Sequence, residues 1–306
     1  MLERPVALVT GVGRTVGIGA GIARRLAESG WDVAFTYWTA YDERMKWGVQ
    51  DGATAEITAE LTGLGVTAVP IEADLADPGA PERIFAAAED RLGPVTALVM
   101  CHCESVDSSI RDTTVESFDR HFAVNARATW LLIREYAARF AVPHGSGRIV
   151  ALTSDHTVHN LPYGASKGAL DRITLAAAQE LSDLGLTANV INPGPIDTGW
   201  MSPDLRTACT EATPLGPPRH PHRHRQPRRL PPLPPRPMGQ RPTPEKQRRL
   251  GLVLQPDFVD SHVRFGAQYP PQPGPTYGRE LRHPPTRWGV HRRAGLPLPR
   301  RPPTTS

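Results

Sequence analysis

Short apolar runs rich in β-branched residues alternate with longer amphipathic stretches through roughly the first two thirds of the chain. The short runs predict buried strands, and an apolar period of three to four residues predicts helices. Strands separated by helices are typical of β-α units around a parallel sheet. The predicted strands are 6–9, 33–37, 67–71, 97–100, 148–152 and 188–191, and the predicted helices are 18–29, 54–64, 81–92, 115–140 and 163–184.

This alternation predicts an α/β fold with a doubly wound, Rossmann-like parallel sheet. Right-handed crossovers place helices on both faces of such a sheet, and ligands bind outside the carboxyl ends of its strands. The glycine-rich and polar motifs of this chain all follow predicted strands. They are therefore the first candidates for a functional site.

A glycine-rich segment follows the first predicted strand, at residues 10–19. Glycine lets the backbone turn tightly and approach a pyrophosphate, whose charge is met by the free amides at the start of the next helix. Its place after the first strand of a β-α-β unit predicts nucleotide binding. The candidate cofactor-binding residues of this segment are Thr10, Gly11, Gly13, Arg14, Gly17, Ile18 and Gly19.

Tyr163 and Lys167 predict a proton-transfer site. Residues four apart lie about one turn from each other on one helix face, so the Lys167 ammonium can approach the Tyr163 phenol. A nearby positive charge lowers the pKa of a phenol, which is otherwise about 10 and unsuited to acid-base work at neutral pH. Taken alone, this spacing also fits an ordinary amphipathic helix. Ser154 alone fits a strand-end hydroxyl, and Asn125 alone fits a helical residue making a local bond.

The joint order of the motifs over residues 5–216 resembles the short-chain dehydrogenase/reductase family, particularly its 3-oxoacyl-carrier-protein reductase-like members. The resemblance implies hydride transfer between a nicotinamide cofactor and a small-molecule carbonyl or secondary alcohol. The residues that carry it are the glycine segment, Asp74-Leu75, Asn125, Ser154, Tyr163 with Lys167, and residues 192–198.

The resemblance also implies a role for each matching residue. Tyr163 would act as general acid/base on the carbonyl oxygen, and Ser154 would hydrogen-bond the same oxygen. Lys167 would hold the nicotinamide ribose and tune Tyr163, while Asn125 would position a water that relays protons to Lys167. Asp74 would contact the adenine, and Leu75 next to it is also a candidate cofactor-binding residue. Thr198 and the backbone at Ile196 would bind the carboxamide of the nicotinamide. The other candidate cofactor-binding residues are Tyr37, Pro193 and Gly194.

Three features depart from the family pattern. The glycine segment has two extra residues, so its loop must bulge before Gly17. The interval from Ser154 to Tyr163 is shorter than usual, which shortens a loop that walls the substrate pocket. Residues 100–103 read Met-Cys-His-Cys where the family has Asn-Asn-Ala-Gly. Adjacent Cys and His side chains give poor zinc geometry and no second ligand set follows, so no metal site is expected.

The end of the second strand bears on the choice of cofactor. An acidic residue there would bind the ribose 2′-hydroxyl of NAD and repel the 2′-phosphate of NADP. The chain has Tyr37 and Trp38 at this point, and Arg14 in the glycine segment can pair with a phosphate. These residues favour NADP. Asp42 and Glu43 lie a few residues further on, so NAD stays an alternative.

Composition divides the chain into two parts. Residues 217–306 hold 22 of the 33 prolines, and 17 arginines and one lysine against four acidic residues. The first residues of this stretch, 217–225, cannot form a helix or a central strand, and the Pro, Arg and His residues that dominate to residue 237 are typical of disorder. The predicted domains are a Rossmann-like dehydrogenase/reductase domain, 1–216, and a Pro/Arg-rich disordered tail, 217–306. The formal net charge of +4 averages these two unlike parts.

The tail stands where the family has its last helix and strand, which the predicted fold therefore lacks. One hypothesis is a frame-shift, because back-translating residues 217–234 and advancing one base permits a string that resembles the missing segment. A tail as written exposes a sheet edge and weakens the expectation of the homo-oligomer typical of the family. The alternatives to an active enzyme are an inactive or unstable truncated member, and a protein whose basic tail binds nucleic acid or another acidic partner.

Nucleic-acid binding is the weaker alternative and is not expected, because no aromatic platform alternates with the arginines of the tail. Three cysteines are too few for a disulfide scaffold in a chain of 306 residues. No apolar run approaches the ~18 residues of a membrane span, and the first residues lack the layout of a signal peptide. The expectation is a cytoplasmic protein without a membrane partner.

Overall fold

Six parallel strands form one sheet in the computed structural model, which describes residues 4–212. The order across the sheet is β3-β2-β1-β4-β5-β6, so the direction of winding reverses between β1 and β4. This is the doubly wound, Rossmann-like α/β arrangement expected from the sequence. The strands are β1 (Val6–Thr10), β2 (Asp32–Tyr37), β3 (Ala68–Glu72), β4 (Val95–Met100), β5 (Arg148–Leu152) and β6 (Thr187–Ile191).

Eight α-helices accompany these strands in the described residues. All six predicted strands are confirmed, with ends that move by at most two residues. The predicted domain boundary at residue 216 and the tail, 217–306, lie outside the described residues. The helices are α1 (Ile18–Glu28), α2 (Thr39–Arg44), α3 (Ala53–Gly63), α4 (Ala80–Leu92), α5 (Val115–His121), α6 (Ala128–Ala138), α7 (Leu161–Glu180) and α8 (Pro203–Ala212).

The prediction of one helix over 115–140 is wrong. A π-helical turn, Phe122–Arg127, separates α5 from α6, and α6 ends at Ala138. Within the turn the Asn125 carbonyl accepts a hydrogen bond from the Thr129 hydroxyl at 2.8 Å. A π-turn holds about one residue more than an α-helical turn. The spacing of apolar residues along the sequence does not reveal a single extra residue.

Other helix limits also differ from the prediction. The last predicted helix, 163–184, begins at Leu161, ends at Glu180 and is followed by a 3₁₀ turn, Ser182–Leu184. Neither α2 nor α8 was predicted. With only six residues, α2 is too short for a helical period to show. No helix of the described residues is long and apolar enough to cross a membrane.

Two apolar clusters cover the two faces of the sheet. Leu8 on β1 pairs in register with Ala34 on β2 and with Leu98 on β4, and all three belong to the cluster under α4, α6 and α7. Val9 and Phe35 belong to the opposite cluster, which α1 and α3 cover. Alternate residues of each strand therefore face opposite layers of helices. The strands are parallel, so their carboxyl ends lie together at one end of the sheet, between the two layers of helices. The candidate active site is at this end.

Leu98→Ala should lower the free energy of unfolding by about 2–5 kcal/mol, because this fully buried side chain leaves a cavity in a central strand. Leu64→Ala is the matched control, since the Leu64 side chain is 44% exposed, and it should change stability by less than about 0.5 kcal/mol. Denaturant unfolding followed by circular dichroism measures both. Equal losses would contradict the central position of Leu98.

Candidate active site

A cavity of about 200 Å³ lies at the carboxyl ends of β1 to β4. Most of the predicted cofactor-binding residues line it, and Thr198, after β6, reaches it from across the sheet. Thr10, Pro193, Gly194, Ile196 and the Tyr163–Lys167 pair are not part of its wall. The predicted residues that line it are Gly11, Gly13, Arg14, Gly17, Ile18, Gly19, Tyr37, Asp74, Leu75 and Thr198.

Close backbone packing requires glycine at two positions of the glycine segment. Gly11 has φ of +76°, and a Cβ on it would lie 2.6 Å from His102 N. A Cβ on Gly19 would lie 2.6 Å from Gly11 O. The expected bulge is present as a turn in which Gly17 N donates to Arg14 O at 3.0 Å. No side chain of the described residues caps α1, so the amides of its first turn are available to an anion.

Lys167 and Tyr163 lie on α7 as their spacing predicts. The Lys167 side chain is almost fully buried, and its Nζ donates to Leu152 O, the last residue of β5, at 2.9 Å. The same Nζ lies 5.7 Å from the centre of the half-buried Tyr163 ring. Burial lowers the pKa of Lys167, which eases the release of its proton. The pair can therefore hold and move a proton at the end of β5.

Asn125 joins the segment after β4 to α7. Its amide nitrogen donates to Glu104 O at 2.8 Å and to Ser166 Oγ at 2.9 Å, and its Oδ1 accepts from Glu104 N at 2.8 Å. All of these atoms are buried, so the bonds hold the two elements in one geometry. Ser166, next to Lys167, is a site residue that the sequence analysis missed.

Ser154 lies two residues beyond β5, on the segment that connects β5 to α7. Its Oγ accepts a hydrogen bond from His156 N at 3.2 Å, which closes a small turn. Further along the same segment, His159 has a φ of +62°, a backbone conformation that residues other than glycine rarely adopt. The hydrogen bond from Lys167 Nζ to Leu152 O joins α7 to the end of β5, two residues before Ser154. The start of the segment that carries Ser154 is therefore fixed relative to α7.

In the segment after β4, His102 is buried and Cys101 and Cys103 on either side of it are partly buried. His102 Nδ1 lies 2.7 Å from Thr10 Oγ1, and burial, with a smaller effect of Lys167, lowers the pKa of His102 to about 3. Burial raises the pKa of Cys101 to about 12 and that of Cys103 as well. Within residues 4–212 no group of three His, Cys, Asp or Glu side chains could hold a metal ion.

Charged residues at the rim of the cavity form a chain of ion pairs that the sequence analysis missed. Glu104 is 2% exposed and receives two hydrogen bonds of 3.0 Å from Arg44 on α2. Arg120 on α5 lies 3.6 Å from Glu104 and donates to both carboxylate oxygens of Asp74, at 3.1 and 3.2 Å. The predicted adenine contact, Asp74, is thus also an ion-pair partner. A lone acidic residue just after an apolar strand was the signal for Glu104.

Arg14 connects the glycine segment to the segment after β6. Its Nη1 donates to Thr198 O at 3.2 Å, and its guanidinium lies 4.4 Å from the centre of the Trp47 ring. In the same segment Gly194 has φ of +67°, and Ile196 O accepts a hydrogen bond from Trp200 Nε1 at 3.1 Å. Arg14 and Thr198 are therefore in contact with each other at the wall of the cavity.

Known proteins are similar to this chain in sequence and in fold. The family model described as Enoyl-(Acyl carrier protein) reductase matches residues 11–217. An uncharacterized oxidoreductase of Bacillus subtilis is 34% identical over 222 residues, 70% of this chain and 84% of that protein. An NADPH-dependent aldehyde reductase-like protein of Arabidopsis thaliana is 34% identical over 69% of this chain and 81% of its own length. A short chain dehydrogenase of Burkholderia cenocepacia, crystallised with NADP, is 33% identical with a TM-score of 0.56, covering 64% of this chain and 76% of its own.

Gly11→Ala should destabilise the protein by more than about 1 kcal/mol, because the added methyl group would meet the His102 backbone and the left-handed φ is strained for alanine. Gly168→Ala is the matched control. Apart from the neighbouring backbone of α7 itself, none of the described atoms lies within 4 Å of a Cβ on Gly168, so this change should stabilise the protein by about 0.5–1 kcal/mol. Thermal unfolding compares the two variants, and a tolerated Gly11→Ala would contradict the close approach of β1 and β4.

The low pKa of His102 predicts acid sensitivity. Below about pH 6.5 the unfolded chain takes up a proton at His102 that the folded protein does not bind until about pH 3, so stability falls as the pH drops through this window. Between pH 7 and pH 5 the wild-type protein should lose about 2 kcal/mol more than His102→Asn. Urea unfolding at both pH values measures this. An equal loss of stability in the two proteins would contradict the burial of a neutral His102.

Proposed function

The chain belongs to the short-chain dehydrogenase/reductase family, and we propose that it transfers a hydride between NADP(H) and a carbonyl or secondary-alcohol substrate. The observation that carries this proposal is the buried Lys167 ammonium, 5.7 Å from the Tyr163 ring at the end of β5. A phenol beside a buried positive charge can donate and recover a proton at neutral pH. The glycine segment and the carboxyl ends of the strands lie at the same edge of the sheet.

The residues present fit a dinucleotide with phosphates at the glycine segment. The uncapped start of α1 offers free amides to these phosphates, and Gly11 and Gly19 line the same cavity. NADP is favoured over NAD because β2 ends at Tyr37 without a carboxylate and Arg14 lines the cavity. The NADPH-dependent name of the Arabidopsis relative and the NADP-bound Burkholderia structure support the same choice. When bound, the cofactor supplies or accepts the hydride.

During reduction the negative charge develops on the carbonyl oxygen of the substrate, and two donors of this chain would meet it. Tyr163 would give its phenolic proton to that oxygen, and the Ser154 hydroxyl would donate a hydrogen bond to it. Lys167 would contact the nicotinamide ribose and return a proton to Tyr163, which its lowered pKa favours. Asn125 would keep the segment after β4 against α7, through Glu104 and Ser166, and so preserve this geometry.

The expected substrate class follows from the proton donation proposed for Tyr163 and from the name of one relative. Proton donation to an oxygen suits aldehydes and ketones equally, and the Arabidopsis relative is named for aldehydes. We therefore expect aldehydes to be the first substrates reduced in a carbonyl panel.

Tyr163→Phe should lower the rate of NADPH oxidation with an aldehyde at least about a hundredfold, because it removes the proton donor and keeps the ring. The Kd for NADPH, measured by calorimetry, should change less than about threefold. Thr62→Val, an exposed change on α3 outside the candidate active site, should retain wild-type turnover. Full activity of Tyr163→Phe would refute the assigned role, and absence of NADPH binding in the wild-type protein would refute the cofactor.

A further inference from the structure

The chain between β2 and α3, residues 38–52, lies against the glycine segment and is called here the β2–α3 segment. It includes α2 and the turns that follow it. Arg44 anchors it to Glu104, on the far side of the cavity, through two hydrogen bonds of 3.0 Å. The segment therefore spans the cavity from the end of β2 to the segment after β4.

Asp42 places a negative charge on the glycine segment. The Asp42 side chain is buried, and a Cβ on Gly13 would lie 2.9 Å from Asp42 Oδ2. Its other oxygen, Oδ1, lies 3.8 Å from Arg14 Nε and accepts a hydrogen bond from Trp47 Nε1 at 2.8 Å. A carboxylate thus occupies the position beside Gly13 and Arg14 where an anionic ligand of the glycine segment would bind.

Gln50 makes a second contact of the same kind. Its Oε1 accepts a hydrogen bond from Thr15 N at 3.1 Å, so an oxygen of the β2–α3 segment also engages a backbone amide of the glycine segment. Trp47 covers the Arg14 guanidinium at 4.4 Å. An amide and a cation that could bind phosphate oxygens are both occupied by side chains of this chain.

The wall of the cavity includes Gly13, Arg14 and Asp42 together. Because the Asp42 carboxylate lies 3.8 Å from Arg14 Nε and beside Gly13, a phosphate that binds Arg14 there must displace this carboxylate.

We propose that the β2–α3 segment is an autoinhibitory element that competes with the cofactor phosphates for the glycine segment, with Asp42 as the competing anion. The inference rests on the proposed function for the identity of the ligand. Cofactor binding moves Arg14 from the Asp42 carboxylate to a phosphate and displaces the Gln50 oxygen from Thr15 N. The affinity for the cofactor is then lower than the contacts of the glycine segment alone would give, because part of the binding free energy opens the segment.

The test compares Asp42→Asn with Glu43→Gln in the full chain. The change at Asp42 keeps an acceptor oxygen for Trp47 Nε1 but removes the charge beside Gly13. Glu43 is the exposed neighbour on the same helix, so its change controls for the loss of one negative charge at long range. Calorimetric titration should give a Kd for NADPH at least about fivefold lower in Asp42→Asn, and within about twofold of wild type in Glu43→Gln.

Inorganic pyrophosphate, titrated in parallel, separates this inference from the proposed function. Tighter pyrophosphate binding by Asp42→Asn, without NADPH binding by any variant, would support the competition and refute the proposed cofactor. An unchanged or higher Kd of Asp42→Asn for both probes would overturn the competition.

Hydrogen exchange gives an independent measurement on the wild-type protein. Saturation with NADPH should lower the amide protection of residues 38–52 while it raises that of residues 11–19. Increased protection of both would mean that the β2–α3 segment closes over the cofactor, which would overturn the inference.

Discussion

The burial of one positive charge, on Lys167, is the constraint on which the rest of the site depends. An ammonium that is 2% exposed is costly unless acceptors surround it. Lys167 meets this cost through Leu152 O, and this bond fixes α7 to the end of β5. The position of Tyr163 follows, because it lies one turn earlier on the same helix. Burial lowers the pKa of His102, and the positive charge of Lys167 lowers it further. The segment after β4 therefore carries a neutral histidine close to Lys167.

The π-helical turn is the second element that the site requires. It carries Asn125, whose side-chain amide bonds to the backbone of Glu104 on one side and to Ser166 on the other. A buried amide with all its bonds satisfied is rigid, because each alternative arrangement would leave a polar atom without a partner. The segment after β4 and the start of α7 are therefore held together independently of any ligand. The deviation from a regular helix thus coincides with the residue that joins two parts of the site.

Charged residues around the cavity are paired with each other. One series of ion pairs joins Arg44, Glu104, Arg120 and Asp74. Arg14 pairs with Asp42 on the β2–α3 segment. Breaking such a pair leaves a charge partly shielded from water, which is costly. A charged ligand that enters this cavity must therefore exchange one set of ion pairs for another. The affinity of the glycine segment for an anionic ligand therefore depends on the position of α2.

The six strands, the glycine turn and the Tyr163–Lys167 spacing are predictable from the sequence, because period and spacing are local properties of a chain. The short helix α2, the π-turn, the partners of Arg14 and the contacts of Asn125 are not. The pairing of charges, such as Glu104 with Arg44 or Asp42 with Arg14, is visible only in the folded protein. An electrostatic interaction depends on the distance between two groups and on their burial. For residues that are remote in sequence, the packing of helices on the sheet determines both.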